Sequence, residues 1–173
     1  GMDVAQDIQK AVKWYKLSAK QGRVKAQLRL ARIYDKGDRI KKNFDYAVKW
    51  YEVAAKNGIP EAQSRLGMIY TQGSKKNYSK AFKWFRRAAK RGDANAQFHL
   101  GQLYEAGDGI DKNLDRAAKW YHMAADQNHS KAQANLGWMY INGAGVKEDL
   151  DEAEKWYKRS ESSGKFPRKK AHN

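Results

Sequence analysis

Residues 47–70 read Ala47-Val48-Lys49-Trp50-Tyr51-Glu52-Val53-Ala54-Ala55-Lys56-Asn57-Gly58-Ile59-Pro60-Glu61-Ala62-Gln63-Ser64-Arg65-Leu66-Gly67-Met68-Ile69-Tyr70. Counted from Ala47 as position 0, small or apolar residues fall at 0, 3, 4, 7 and 8: Ala47, Trp50, Tyr51, Ala54 and Ala55. At about 100° per residue they share one stripe about 140° wide, which predicts an amphipathic helix with Trp50 and Tyr51 on its core face. Gly58 ends that helix, because glycine tolerates the left-handed conformation of a helix C-cap. Pro60 fits the first turn of a second helix, where its missing N–H costs little. Ala62, Leu66, Ile69 and Tyr70 then recur at helical spacing. The stretch predicts a helix, a turn and a second helix.

The same pattern runs along the chain. Ala-x-Lys-Trp-aromatic starts at Ala11, Ala47, Ala81, Ala117 and Ala153, with steps of 36, 34, 36 and 36 residues. Ala-Gln pairs recur at Ala26, Ala62, Ala96 and Ala132, and Tyr34, Tyr70, Tyr104 and Tyr140 close the second helices. Five of the six Trp share one repeat position, so the period is no accident of composition. Asp7, Asn43, Asn77, Asn113 and Asp149 stand four residues before each position 0 and are predicted N-caps. Gly22, Gly58, Gly92, Asn128 and Gly164 are the predicted stops of the first helices. Gly67, Gly101 and Gly137 lie in mid-helix, at a cost of about 1 kcal/mol each against Ala, and predict close approach by a neighbouring helix. Gly107-Asp108-Gly109-Ile110 typifies the connectors, with positive φ followed by an apolar anchor. Arg39 replaces the second connector glycine in the first copy, and Ser74-Lys75-Lys76 marks a two-residue deletion in the second.

These residues resemble the Sel1-like repeats, relatives of tetratricopeptide repeats, over about residues 4–164. The resemblance implies an all-α, right-handed superhelical solenoid of helix-turn-helix repeats with about nine helices. Its units are 4–39, 40–74, 75–109, 110–145 and a half unit 146–164, in one domain spanning 1–164. Ser160-Glu161 replaces Ala-Ala in the last unit, where a polar outer face suits an edge. Residues 165–173, with Arg168-Lys169-Lys170, form an expected basic tail. The chain begins in mid-repeat, so either a short cap starts here or it is a piece of a longer array. Gly1 before Met2 reads as a processing scar. A removed leader would leave periplasmic and secreted locations open, and the sequence assigns no compartment.

Composition bounds the chemistry. Leu, Ile, Val and Phe total only 27 residues against a net charge of +16, a pattern shared with disordered chains. The 24 Ala and the phased aromatics supply the core instead. Zero Cys excludes disulfides, thiolate metal sites and a cysteine nucleophile. No apolar run approaches the ~20 residues of a membrane span. His99, His122, His129 and His172 form no metal-ligand spacing with one another, and no nucleophile motif surrounds Ser130 or Ser160. No metal, cofactor or catalytic residue is predicted. A hydrolase acting on cell-wall or β-lactam-like ligands is suggested only by cysteine-rich relatives, from which this chain differs.

The cationic residues carry the functional expectation. Position 2 of the first helix lies opposite the core stripe and is Lys13, Lys49, Lys83, Lys119 and Lys155. Positions 5 and 9 add Lys16, Lys20, Lys56, Arg86, Lys90 and Lys158, with His122 among them and Glu52 and Asp126 interrupting the field. Lys beside Trp also serves as a plain solvated helix former. In tetratricopeptide-like arrays the first helices line a concave wall, and such a row of cations would focus positive potential there. The resemblance implies a protein–protein scaffold or adaptor. The expected ligand is an acidic or helical peptide held by Lys49, Lys83, Arg86, Lys119, His122 and Lys155. The alternative is non-specific binding of a polyanion such as nucleic acid, anionic glycan or lipid. Self-association through exposed solenoid ends is a further expected contact.

Overall fold

A computed structural model describes residues 2–37, 40–72 and 76–163 of the 173-residue chain. Arg39, Gly73, Ser74, Lys75, Gly164 and the 165–173 tail, with His172, lie outside the described residues. The order is α1 (Met2–Lys20), α2 (Val24–Lys36), α3 (Phe44–Lys56), α4 (Pro60–Thr71), α5 (Tyr78–Ala89), α6 (Ala94–Ala106), α7 (Leu114–Asp126), α8 (Ser130–Asn142) and α9 (Leu150–Ser163). No strand occurs among the described residues. The chain divides into two compact units, Gly1–Lys76 with α1–α4 and Asn77–Asn173 with α5–α9. Within each, consecutive helices pack as antiparallel neighbours joined by short turns.

Local chemistry explains the helix ends. Asn43, Asn77, Asn113 and Asp149 each accept a backbone N–H three residues on, at 2.8–3.0 Å. Those bonds satisfy donors that a helix N-terminus leaves free. The backbone N–H of Asn43, Asn113 and Asp149 also donates to the carbonyl of Tyr34, Tyr104 and Tyr140, which ties each connector to the helix before it. Asp7 departs from the expected pattern: α1 begins at Met2 and Asp7 lies inside it. Val4-Ala5-Gln6 stands where other copies carry the end of a connector, Ile40-Lys41-Lys42 in the next, and nothing there stops the helix from running through. The stops behave as expected, with positive φ at Gly22, Gly58, Gly92 and, without glycine, Asn128 at 62°.

Small residues let the helices approach. Ala47, Ala54, Ala62 and Leu66 are fully buried in the first unit, as are Ala117, Tyr121, Ala124, Leu136 and Met139 in the second. A Cβ at Gly101 would come within 2.6 Å of the Tyr121 ring, and one at Gly137 within 2.9 Å of Tyr157. The mid-helix glycines therefore admit the position 4 aromatic of the next repeat.

The invariant Gln of each repeat is structural. Gln27, Gln63, Gln97 and Gln133 are buried, and each donates its Nε2 to the carbonyl of Ala19, Ala55, Ala89 or Ala125 at 2.9–3.2 Å. That bond caps the last turn of the first helix from the neighbouring second helix. In the fifth copy, Ser160 is buried and its hydroxyl donates to the Ser130 carbonyl at 3.1 Å, while Glu161 is exposed.

The Trp position differs from the sequence expectation. Trp50, Trp84 and Trp120 are half-buried and Trp14 is 72% exposed; only Trp156 of this set is buried. The deep aromatic is at position 4: Tyr51, Phe85 and Tyr121. Val48 and Ala118 at position 1 are buried too. The core stripe is thus rotated away from position 3, and Trp sits at its margin. There Arg87 lies over the Trp84 ring at 5.0 Å and Arg159 over Trp156 at 4.4 Å, a cation–π arrangement. Trp138, outside the repeated set, is 48% exposed.

Candidate functional site

The position 2 lysines Lys13, Lys49, Lys83, Lys119 and Lys155 are all exposed, as their angle from the core stripe requires. Lys155 is engaged by Glu152 on its own helix at 2.6 Å, and Lys158 by Glu154 at 2.7 Å. Such exposed pairs contribute little to stability.

A cluster of cations lies along α5 and its C-cap. Lys83, Arg86, Arg87 and Lys90, with Phe82, line a shallow depression of about 260 Å³. Lys83 and Arg87, and Arg86 and Lys90, are like charges spaced i,i+4. Each such pair destabilises an isolated helix by about 0.2–0.5 kcal/mol. An anion laid along the depression would relieve that repulsion. Arg87 was not among the residues singled out from the sequence, because only its placement beside Trp84 brings it to this face.

Position 5 is more structural than its helical angle suggested. Glu52 accepts from the Tyr70 hydroxyl at 3.1 Å, and His122 Nε2 lies 3.1 Å from the Tyr140 hydroxyl. Lys16 lies over the Tyr34 ring at 5.7 Å. Each pairs with the Tyr that closes the second helix of its own repeat. The His122 ring is half-buried and meets Trp156 edge-on, and burial lowers its pKa, opposed by Asp126 and Glu152. His122 therefore presents a neutral hydrogen-bonding edge near neutral pH.

A second polar constellation escaped the sequence reading. Tyr51 on α3 donates its hydroxyl to Asp35 Oδ2 on α2 at 3.1 Å, and Arg65 Nε on α4 reaches the same oxygen at 2.8 Å. Asp35 is buried, so two donors on one oxygen replace its lost hydration. Burial raises the Tyr51 pKa, reinforced by the Asp35 charge, so the phenol stays a donor. Tyr121 and Glu105 repeat the contact in the second unit at 2.5 Å. The available signal was the acid that follows the closing Tyr in the copies of Asp35 and Glu105, each ahead of a position 4 Tyr, Tyr51 or Tyr121; the Tyr alone does not mark the cluster, since Tyr157 comes after Ile141. The Asp35 cluster opens onto a cleft of about 890 Å³ within the first unit. Among the described residues no group of three or more His, Asp or Glu is placed to hold a metal ion, and no helix is long and apolar enough to cross a membrane.

Comparison with known proteins agrees with this geometry. The Sel1 repeat model matches residues 1–22, 24–59, 60–93, 94–129 and 130–165, each later segment starting at or next to the first residue of a second helix. Among solved structures, the chain is similar to c5321, a protective antigen present in uropathogenic Escherichia coli strains displaying an SLR fold. The two are 41% identical with a TM-score of 0.83, over 89% of this chain and 33% of that one. A Sel1 repeat protein from Oxalobacter formigenes is 39% identical with a TM-score of 0.84, over 90% of this chain and 65% of that one. The chain thus spans less than two thirds of the length of both. Cysteine rich protein B of Helicobacter pylori, 24% identical with a TM-score of 0.55 over 68% of this chain and 90% of its own, shares the fold. No curated protein matches the sequence. With Sel1 repeats matched over nearly all of residues 1–165, this all-α repeat protein belongs to the Sel1 repeat family.

Proposed function

We propose that this chain is a protein-interaction scaffold, as Sel1 repeat proteins generally are, and that it holds an acidic segment of a partner on the cationic face of its first helices. The observation that carries the reading is the α5 depression, where four cations stand together without a carboxylate among its lining residues. Exposed Lys119 on α7 and Lys155 on α9 carry the same repeat position in that unit, as Lys49 does in the first. His122 would contribute a hydrogen-bonding edge and not a charge. A repeat fold presents surface in place of a reactive pocket, which suits a scaffold better than an enzyme.

Non-specific polyanion binding is the second reading, favoured by the net charge of +16 and a pI of about 9.9. Capture from a lysate with and without nuclease separates the two. Wild type is compared with the Lys83→Glu/Lys119→Glu variant after circular dichroism shows equal helicity. Nuclease-resistant proteins retained by wild type and lost from the variant support the scaffold. Material lost on nuclease treatment supports the polyanion reading. Equal retention by both proteins refutes the lysine face.

A further inference from the structure

The four cations of the α5 depression surround one point on the surface. Lys83 and Lys90 stand two helical turns apart, about 10.5 Å along the axis. Arg86 and Arg87 flank the line between them, one on each side, about 100° apart around the helix. Every edge of this diamond is an i,i+3 or i,i+4 pair, with Cβ atoms about 5–6 Å apart. No other copy has a cation at all four positions. Leu17 interrupts the set on α1, Glu52 and Val53 on α3, and Met123 and Asp126 on α7. On α9 the cations Lys155, Lys158 and Arg159 are met by Glu152, Glu154 and Asp126. Among the described residues the four on α5 make no ion pair.

Four positive charges around one point call for more than a carboxylate. An Asp or Glu brings one charge and two acceptor oxygens. A phosphate monoester brings about 1.5–2 negative charges near pH 7 and three strong acceptor oxygens. Placed over the centre of the diamond, it meets donors on every side. The Arg87 guanidinium lies over the Trp84 ring at 5.0 Å. A guanidinium held against an aromatic ring is pre-positioned and keeps the N–H donors at its rim for an anion. Phe82 lines the same depression and gives the chain that carries the anion an apolar contact.

We propose that Lys83, Arg86, Arg87 and Lys90 form a phosphate-binding site whose ligand is the phosphate monoester of a phosphorylated side chain in the protein partner. This rests on the scaffold reading and names the group that the partner presents. Arg86 and Arg87 supply the paired N–H donors that match phosphate oxygens, and Lys83 and Lys90 add charge at the two ends. Phosphorylation of the partner then controls assembly, because the bare hydroxyl offers no charge to the diamond.

The test is fluorescence anisotropy of the whole chain with two labelled peptides at ~0.15 M salt, where distant charges are screened. One is Gly-Phe-Ala-Ser-Ala-Gly phosphorylated on its serine. The other has Glu-Glu in place of Ser-Ala and carries nearly the same charge. The phosphopeptide is expected to bind saturably and about tenfold tighter. Arg87→Lys keeps the charge and loses the planar fork. It should weaken the phosphopeptide about fivefold and leave the Glu-Glu peptide within about twofold. Lys25→Gln, on the exposed side of α2, should change neither. Lowering the pH from about 7.5 to 5.5 returns the second proton to the phosphate, whose pKa is near 6, and should weaken the phosphopeptide about threefold. The Glu-Glu peptide, ionising near pH 4.3, should hold its affinity. Equal affinity of the two peptides would overturn the phosphate site and leave the acidic-segment reading standing. Absence of saturable binding by both would overturn the phosphate site and remove α5 from that reading as well. The peptides are compared on one unaltered chain, so misfolding cannot account for a difference between them.

Discussion

The Tyr51 hydroxyl meets Asp35 Oδ2 at 3.1 Å, joining the first helix of one repeat to the second helix of the repeat before it. Arg65 closes the same oxygen from α4, so three consecutive helices share one buried carboxylate. The consequence is an asymmetry between partners. Asp35→Ala leaves a buried phenol and a guanidinium without their acceptor and is expected to cost about 2–4 kcal/mol. Tyr51→Phe removes one of two donors and is expected to cost about 1 kcal/mol. Urea denaturation followed by circular dichroism orders the two.

Gly101→Ala sets helix propensity against packing. Propensity alone favours Ala by about 1 kcal/mol. The new methyl would press on the fully buried Tyr121 ring, which has no room to move, and a net loss of about 1–3 kcal/mol is expected. Gly137→Ala meets the half-buried Tyr157 and should cost less, because that ring can shift outward. Thermal melts of the two variants test the order.

The repeat period, helix pairing, most caps and the mid-helix glycines were all legible in the sequence, because each rests on short-range geometry repeated in phase. Asp7 was misread because a cap residue acts only where the chain before it leaves the helix, and Val4-Ala5-Gln6 does not. The Trp stripe was misread because equal angular weight was given to positions 3 and 4. Gly101 admits the ring at position 4, which pulls the core toward Tyr121 and leaves Trp120 at the margin, whereas in the last copy Trp156 is the buried ring and Tyr157, against Gly137, is half-buried. The Tyr–acid–Arg cluster joins residues 14 to 30 apart in the sequence, and only a comparison between copies could have found it.

The histidines make stability depend on pH. His129 caps α8 by accepting the Ala132 N–H on Nδ1 at 3.2 Å, which requires the neutral ring, and it stacks on Phe98 at 4.6 Å. Burial lowers the pKa of His99, His122 and His129, and Lys131 pushes His99 and His129 the same way while Asp93 opposes it. The unfolded chain therefore takes up protons first as pH falls. Stability is full above the unfolded value of about 6.5 and is lost progressively below it, until the folded rings protonate too. His129→Asp keeps a cap acceptor and should flatten the fall in melting temperature between about pH 7.5 and 5.

Gln97 and Gln133 make the same bond to an Ala carbonyl, but only Gln97 also accepts from Gln127, at 2.7 Å. Gln97→Leu should therefore destabilise more than Gln133→Leu, each within about 1–3 kcal/mol. Chemical denaturation of the pair checks the difference.

The central claim is that partners bind along the first-helix cations, and lysine acetylation under limiting reagent tests it most directly. The chain is labelled alone and with its captured partner, and each lysine is read by mass spectrometry. Lys83, Lys90 and Lys119 should lose label in the complex, while Lys25 and Lys131, exposed on the second helices α2 and α8, should keep it. Protection of Lys25 and Lys131 with unchanged labelling at Lys83 and Lys119 would contradict the account and move the binding face to the second helices.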